Sequence, residues 1–170
     1  MYFFKNKKII NISRESFTTS LIIKEFKYHI LKSQSDLYII ALGTNDVRYR
    51  DPNICAMNKK DYIDNIKVIV DFSKKYNKNN PKFIFISPWP SISEDKLSKL
   101  KEKDKNKMLE EYGEELKQYC KKNNYLYINP SKFINRYIKK DRKKYLIDQI
   151  HPNKEEGINL FTEAILFNSK

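Results

Sequence analysis

Apolar positions along this chain fall into two rhythms that alternate from end to end. Short unbroken apolar runs, bounded by polar residues, are separated by longer stretches in which apolar residues recur every three or four positions. Lys8-Ile9-Ile10-Asn11-Ile12 predicts a short strand. Thr18 or Thr19 then opens a predicted helix over 18–33, with Leu21, Ile22, Phe26 and Ile30 at helical spacing. The run from Asp36 to Leu42 predicts a strand covered on both faces. After a polar loop through Asp51-Pro52-Asn53, Tyr62, Ile63, Ile66, Ile69, Val70 and Phe72 mark a helix over 59–77.

Lys82 to Ser87 predicts the next buried strand, which Pro88-Trp89-Pro90 cannot continue because proline lacks the ladder donor. A helix over 104–122 follows, ended by Asn123-Asn124. Tyr125 to Ile128 predicts the last strand. Ser131 is the expected cap of a short helix reaching 139, and Asn153 that of a final helix over 154–167. Strands separated by helices imply parallel pairing through right-handed crossovers, hence a three-layer α/β/α sandwich formed as one domain. In such sheets chemistry gathers at the carboxyl ends of the strands. Asn11–Ser16, Gly43–Asp46 and Ser87–Pro90 all follow strands directly and are expected at one edge.

Composition narrows the classes. The 170 residues are 40% hydrophobic and 14% aromatic, enough for one sizeable core. No apolar run reaches a membrane span, and the N-terminus lacks a signal-peptide plan, so a cytoplasmic protein is expected. Cys55 and Cys120 fit no metal or paired-thiol spacing, and with two separated histidines no metal site is expected. The net charge of +13 points toward nucleic acid. The lysines are interleaved with acids, however, as in Lys99-Leu100-Lys101-Glu102-Lys103-Asp104-Lys105. No ribonucleoprotein motif accompanies them, so a solvated face is the better reading and no nucleic-acid partner is expected.

Two short segments carry the candidate chemistry. In Asp148-Gln149-Ile150-His151-Pro152, an aspartate precedes a histidine by three residues at the mouth of the final helix. A carboxylate there can hold the imidazole in one tautomer, as a general base requires. The bland alternative is a surface pair flanking a helix cap. In Gly43-Thr44-Asn45-Asp46, the Asn45 amide at a strand end can donate to a developing oxyanion. Simple turn chemistry is its bland alternative. Arg48 could bind an acidic substrate group, and Trp89 could wall a pocket or simply pack on the sheet edge. His29 reads as structural.

Taken together and in this order, the segments resemble blocks of the SGNH, or GDSL-like, hydrolases, which are esterases, lipases, carbohydrate deacetylases and acyltransferases on a flavodoxin-like sheet. Gly43-Thr44-Asn45-Asp46 is similar to the block whose asparagine is an oxyanion donor. Asp148 to Pro152 is similar to the block whose aspartate and histidine complete a triad with serine. The Ser87-Pro88-Trp89-Pro90-Ser91 turn also looks like members of the family. The resemblance spans 8–168 and implies serine-dependent hydrolysis or transfer of an ester acyl group without cofactor. O-acetylated carbohydrate is favoured over a lipid ester, since no long apolar lid segment is visible.

Two departures matter. Asn11-Ile12-Ser13-Arg14-Glu15-Ser16 stands where the family has Asn-x-Gly-x-x-Gly, with Ser13 and Ser16 at the glycine positions. A backbone oxyanion donor survives there only if the local φ and ψ tolerate a Cβ. The Gly-Asp-Ser nucleophile block, normally on a preceding central strand, has no counterpart, so the fold is expected to lack its first strand. Three explanations are open: an N-terminally shortened copy, a strand-supplying partner or second copy of the chain, or a shifted register in which Ser16 is the nucleophile. The rival to an enzyme is an inactive remnant or binding module.

Overall fold

The computed structural model describes residues 7–47, 57–89, 102–148 and 151–169, and within these the side chains of all but 26, 27, 29–33, 102 and 103. Helix α1 (Thr19–Ser33) precedes strand β1 (Leu37–Ile40). Helix α2 (Lys59–Tyr76), β2 (Lys82–Ile86), α3 (Glu102–Asn123) and β3 (Leu126–Ile128) follow. Three helices complete the chain: α4 (Ser131–Ile138), α5 (Arg142–Tyr145) and α6 (Glu156–Phe167).

The helix boundaries follow from local chemistry. Thr18 Oγ1 accepts from the Leu21 amide at the start of α1. Asn58 caps α2: its Oδ1 accepts from the Asp61 amide at 2.9 Å, and its own amide donates to the Asp61 carboxylate at 2.7 Å. Asp61 in the first turn and Lys74 and Lys75 in the last suit the helix dipole. The expected Ser131 cap does not form: Ser131 is the first residue of α4, Pro130 holds the cap position, and Asn129 Oδ1 accepts from the Ser131 amide. The final helix begins at Glu156 with Glu155, not Asn153, at its cap position; Asn153 stands two residues earlier, its Oδ1 accepting from the amides of Glu155 and Gly157.

The three strands pair in parallel in the order β1-β2-β3, with Ile39 opposite Ile84 and Ile84 opposite Leu126. Because the sheet advances in one direction, successive right-handed crossovers put α2 and α3 on the same face. That face is the main core. Tyr38, Ile40, Phe83 and Phe85 meet Tyr62, Ile66, Ile69 and Val70 of α2 and Leu109, Tyr112, Leu116 and Cys120 of α3. Burial pushes the Cys120 thiol up to about 12, so it behaves there as a small apolar side chain. A second cluster joins α4, α5 and α6 through Ile134, Ile138, Leu146, Leu160 and Ala164. The architecture is an α/β sandwich on a truncated parallel sheet.

Two expectations are corrected. Residues 8–12 are not a strand: Ile9 is 71% exposed, and Ile12 alone of the run packs against the main core. An apolar run becomes a strand only when a neighbour completes its ladder, and the sheet of described residues ends at β1. Nor is β1 covered on both faces. Tyr38 and Ile40 are buried, but Ile39 is 50% exposed and Leu126, two strands along the same row, 44%. With both crossover helices on one face, the other needs cover from elements outside these βαβ units.

Candidate active site

The loop leaving β1 is built around a position that only glycine fills. Gly43 has φ +122°, and a Cβ there would lie 2.7 Å from Pro88 Cγ and 2.9 Å from Tyr62 Cε2. The turn closes with the Asp46 amide donating to the Gly43 carbonyl at 3.0 Å. Thr44 joins this loop to the one after β2: its Oγ1 accepts from the Trp89 amide at 3.2 Å and lies 3.3 Å from the Trp89 carbonyl. Asn45 donates from Nδ2 to the Phe17 carbonyl at 3.1 Å. A primary amide has two N–H groups, so this bond orients the side chain and leaves one donor to use elsewhere.

Asp46 is the residue whose role the sequence pattern does not assign. Only 3% exposed, it accepts from the Thr19 hydroxyl at 2.6 Å and from the Thr19 amide at 3.0 Å. Asn65 of α2 donates to the same hydroxyl at 2.9 Å. A buried carboxylate is tolerable only with such donors, and here they include the first backbone N–H of α1. The Asn45 and Asp46 side chains therefore fasten the 15–18 turn to the carboxyl end of β1. Their partners lie 27 and 28 residues away in sequence, beyond the reach of any local pattern. A buried acid in a strand-end turn is the one available hint.

That turn contains Ser16, exposed and at φ 60°. The left-handed region costs a residue with a Cβ about 1–2 kcal/mol, so serine stands here in backbone geometry that favours glycine. Among the described residues Ser16 makes no hydrogen bond to His151 or Asp148. The strand that would precede it in the shifted register is the one absent from 8–12.

At the other end of the chain, α5 leads into a tight loop. Leu146 bridges Pro152 in antiparallel sense, and the Ile147 amide donates to the His151 carbonyl at 2.9 Å. Inside this loop Asp148 Oδ1 accepts from the His151 amide at 2.8 Å, while Oδ2 lies 2.7 Å from His151 Nδ1. One carboxylate thus fixes both the backbone and the ring. Nε2 has no partner among the described residues, and the His151 side chain is 64% exposed. An imidazole held at Nδ1 and open at Nε2 can take a proton from a substrate or from a nucleophile brought to it.

Trp89 links the two halves. Bound to Thr44 through its backbone, it packs its ring at a 50° tilt, 4.6 Å between centroids, against Phe161 of α6, the helix that His151 introduces. Its indole N–H is buried without a partner among the described residues. The Trp89 ring thus packs against α6, where the sequence reading offers a pocket wall or the sheet edge. Arg48, Cys55 and Pro90 lie outside the described residues, as does the side chain of His29. Among the described residues no cluster of His, Cys, Asp or Glu could hold a metal ion, and no helix is long and apolar enough to cross a membrane.

Comparisons with known proteins bear on this arrangement. Solved structures with the same fold include a GDSL-like lipase from Bacteroides thetaiotaomicron (22% identity, TM-score 0.68, covering 89% of this chain and 70% of that one). A member of the lipolytic G-D-S-L family from Veillonella parvula is similar at 16% identity (TM-score 0.71, 96% and 80%). So is a catalytic mutant of Axe2, an acetylxylan esterase from Geobacillus stearothermophilus, at 15% identity (TM-score 0.74, 95% and 72%). No match was found among curated proteins. Residues 4–155 match the GDSL-like lipase/acylhydrolase family, a span that holds the Asn45 loop and the Asp148–His151 pair together. With family match, fold and the order of the two segments in agreement, the chain belongs to the GDSL-like lipase/acylhydrolase family.

Proposed function

We propose that this chain is built for acyl-ester chemistry, with His151 as general base, Asp148 as the group that orients it and Asn45 as an oxyanion donor. The observation that carries the reading is the doubly anchored Asp148–His151 pair with its exposed, unpartnered Nε2. His151 would accept the proton of an attacking hydroxyl and return it to the leaving alcohol. Asp148 would stabilise the imidazolium formed between these steps. The free N–H of Asn45 would meet the tetrahedral oxyanion, aided by a backbone N–H from the turn at Ser16. Gly43 serves the site by letting the loop pass close to Pro88 and Tyr62. An O-acetylated carbohydrate is the favoured substrate class, in keeping with the acetylxylan esterases of similar fold.

The second reading is a binding module or remnant that keeps the geometry without a nucleophile. It draws on the absence, among the described residues, of any hydroxyl hydrogen-bonded to His151 Nε2. Incubating the purified chain with p-nitrophenyl acetate and a fluorophosphonate separates the two. Turnover that disappears in His151→Ala supports the enzyme, and a covalent label mapped to Ser16 would make that serine the nucleophile. Folded protein that neither turns over nor becomes labelled would leave the binding module.

A further inference from the structure

We propose that the exposed basic face of α4 and α5 is a binding surface for an acidic carbohydrate polymer, running it past the Asp148–His151 pair. The inference rests on the acyl-ester reading and narrows its substrate to a polyanion. Between Ser131 and Tyr145 the sequence holds seven lysines and arginines against one aspartate, a net +6 of the chain's +13. Lys132 and Arg136 stand four residues apart on one face of α4, Lys139 and Lys140 follow in the turn beyond it, and Lys143 continues the patch into α5. All five are exposed, and none forms an ion pair with a described carboxylate. The single acid, Asp141, is engaged in capping the Lys144 amide.

Several lysines of α2 and α3 are instead neutralised by neighbouring acids. On α2 and α3, Lys60 and Lys67 both bind Asp64, Lys59 reaches Glu115, and Lys117 pairs with Glu114. Like charges four residues apart disfavour a helix by about 0.2–0.5 kcal/mol per pair. The Lys132–Arg136 pair bears such a repulsion in a helix that contains no acidic residue, and a bound polyanion would relieve it.

Place and chemistry select the ligand. Asn153 donates to the Lys144 carbonyl at 2.7 Å, its amide donates to the Tyr145 carbonyl, and Lys144 reaches Glu156 at 4.0 Å. These contacts make the basic segment and the His151 loop one structural unit. An anionic membrane is disfavoured because the apolar side of α4, Ile134 and Ile138, is already buried in the local core. A nucleic acid offers charge along its backbone but no acyl ester there for the pair to act on. An O-acylated uronate polymer offers both.

The test is affinity electrophoresis of the full chain through gels containing polygalacturonate, neutral xylan or a single-stranded DNA oligonucleotide. Two triple variants are compared with the parent, each checked for folding by circular dichroism. One, Lys139→Gln/Lys140→Gln/Lys143→Gln, thins the patch. The other, Lys60→Gln/Lys67→Gln/Lys117→Gln, removes the same charge from paired positions. The expected result at 50 mM salt is retardation by polygalacturonate alone, weakened about tenfold or more in the patch variant and less than twofold in the other.

No retardation, equal loss in both variants, or tighter binding to DNA would overturn the proposal. Turnover of p-nitrophenyl acetate, followed in parallel, keeps the two readings apart. Binding without His151-dependent turnover sinks only the hydrolase, and turnover without binding sinks only this surface.

Discussion

The two halves of the candidate site are held by opposite means. The Gly43–Val47 loop is locked from outside by partners distant in sequence, and its key carboxylate is buried against α1. The Asp148–His151 loop is locked from inside by bonds that span three residues, and both of its side chains remain more than half exposed. An oxyanion donor must hold its geometry while charge develops beside it, which favours a rigid and shielded mount. A base must reach a proton carried by something else, which favours exposure with one nitrogen fixed. The contrast teaches that positioning at the first loop is coupled to global folding, whereas positioning at the second is a local property of a few residues.

Four substitutions would break or sharpen that contrast, from the largest expected effect downward. Asp46→Ala strips the Thr19 hydroxyl and amide of a buried, charged acceptor. It should lower stability by about 3 kcal/mol in urea denaturation. A loss below 1 kcal/mol would mean that the first loop does not depend on this tie. Gly157→Ala puts a Cβ 2.1 Å from the Tyr145 carbonyl and 2.9 Å from Pro152 Cα. It should cost about 2 kcal/mol, and hydrogen exchange should show lost protection over 145–153 with α2 unchanged. Loss spread evenly through α2 would contradict the independence of the two units.

The third substitution acts in the stabilising direction. Ser16→Gly relieves the left-handed backbone and should raise stability by about 0.5–1 kcal/mol, after the greater freedom of glycine in the unfolded chain is counted. A destabilised variant would show that the Ser16 side chain supports the turn. Asp148→Asn should change stability least, by no more than about 0.5 kcal/mol at so exposed a position. If the chain is catalytic, its kcat should nonetheless drop steeply, on the order of 10⁴-fold as in a triad that loses its carboxylate. A large stability change with unchanged kcat would reverse the roles given to the two loops.

Legibility in the sequence follows the same division. The Asp148–His151 contact is open to inspection because it spans three residues in a turn, and Asn153 as an acceptor for amides near the start of α6 can be read for the same reason. The Gly43–Asp46 segment could be located as a strand-end turn, but not the anchors that hold it: Phe17 and Thr19, Asn65, and Trp89 come from three other segments. The Lys8–Ile12 run predicts a strand that does not form, because apolar periodicity reports preference and not partnership. The exposed row Ile39–Leu126 was hidden for a related reason, since a run of apolar residues does not reveal which helices will arrive to cover it.

By itself, then, the sequence determined the alternation of strands and helices, most of their limits, the parallel α/β class, and the pairing of Asp148 with His151. All of these depend on chemistry between residues close along the chain. Only the tertiary structure decided that the sheet of described residues ends at Leu37–Ile40, that Ser16 occupies a backbone region suited to glycine, and that a buried Asp46 binds one loop of the site to α1. Those outcomes depend on which distant segments meet, and on whether each polar group taken from water there finds a partner.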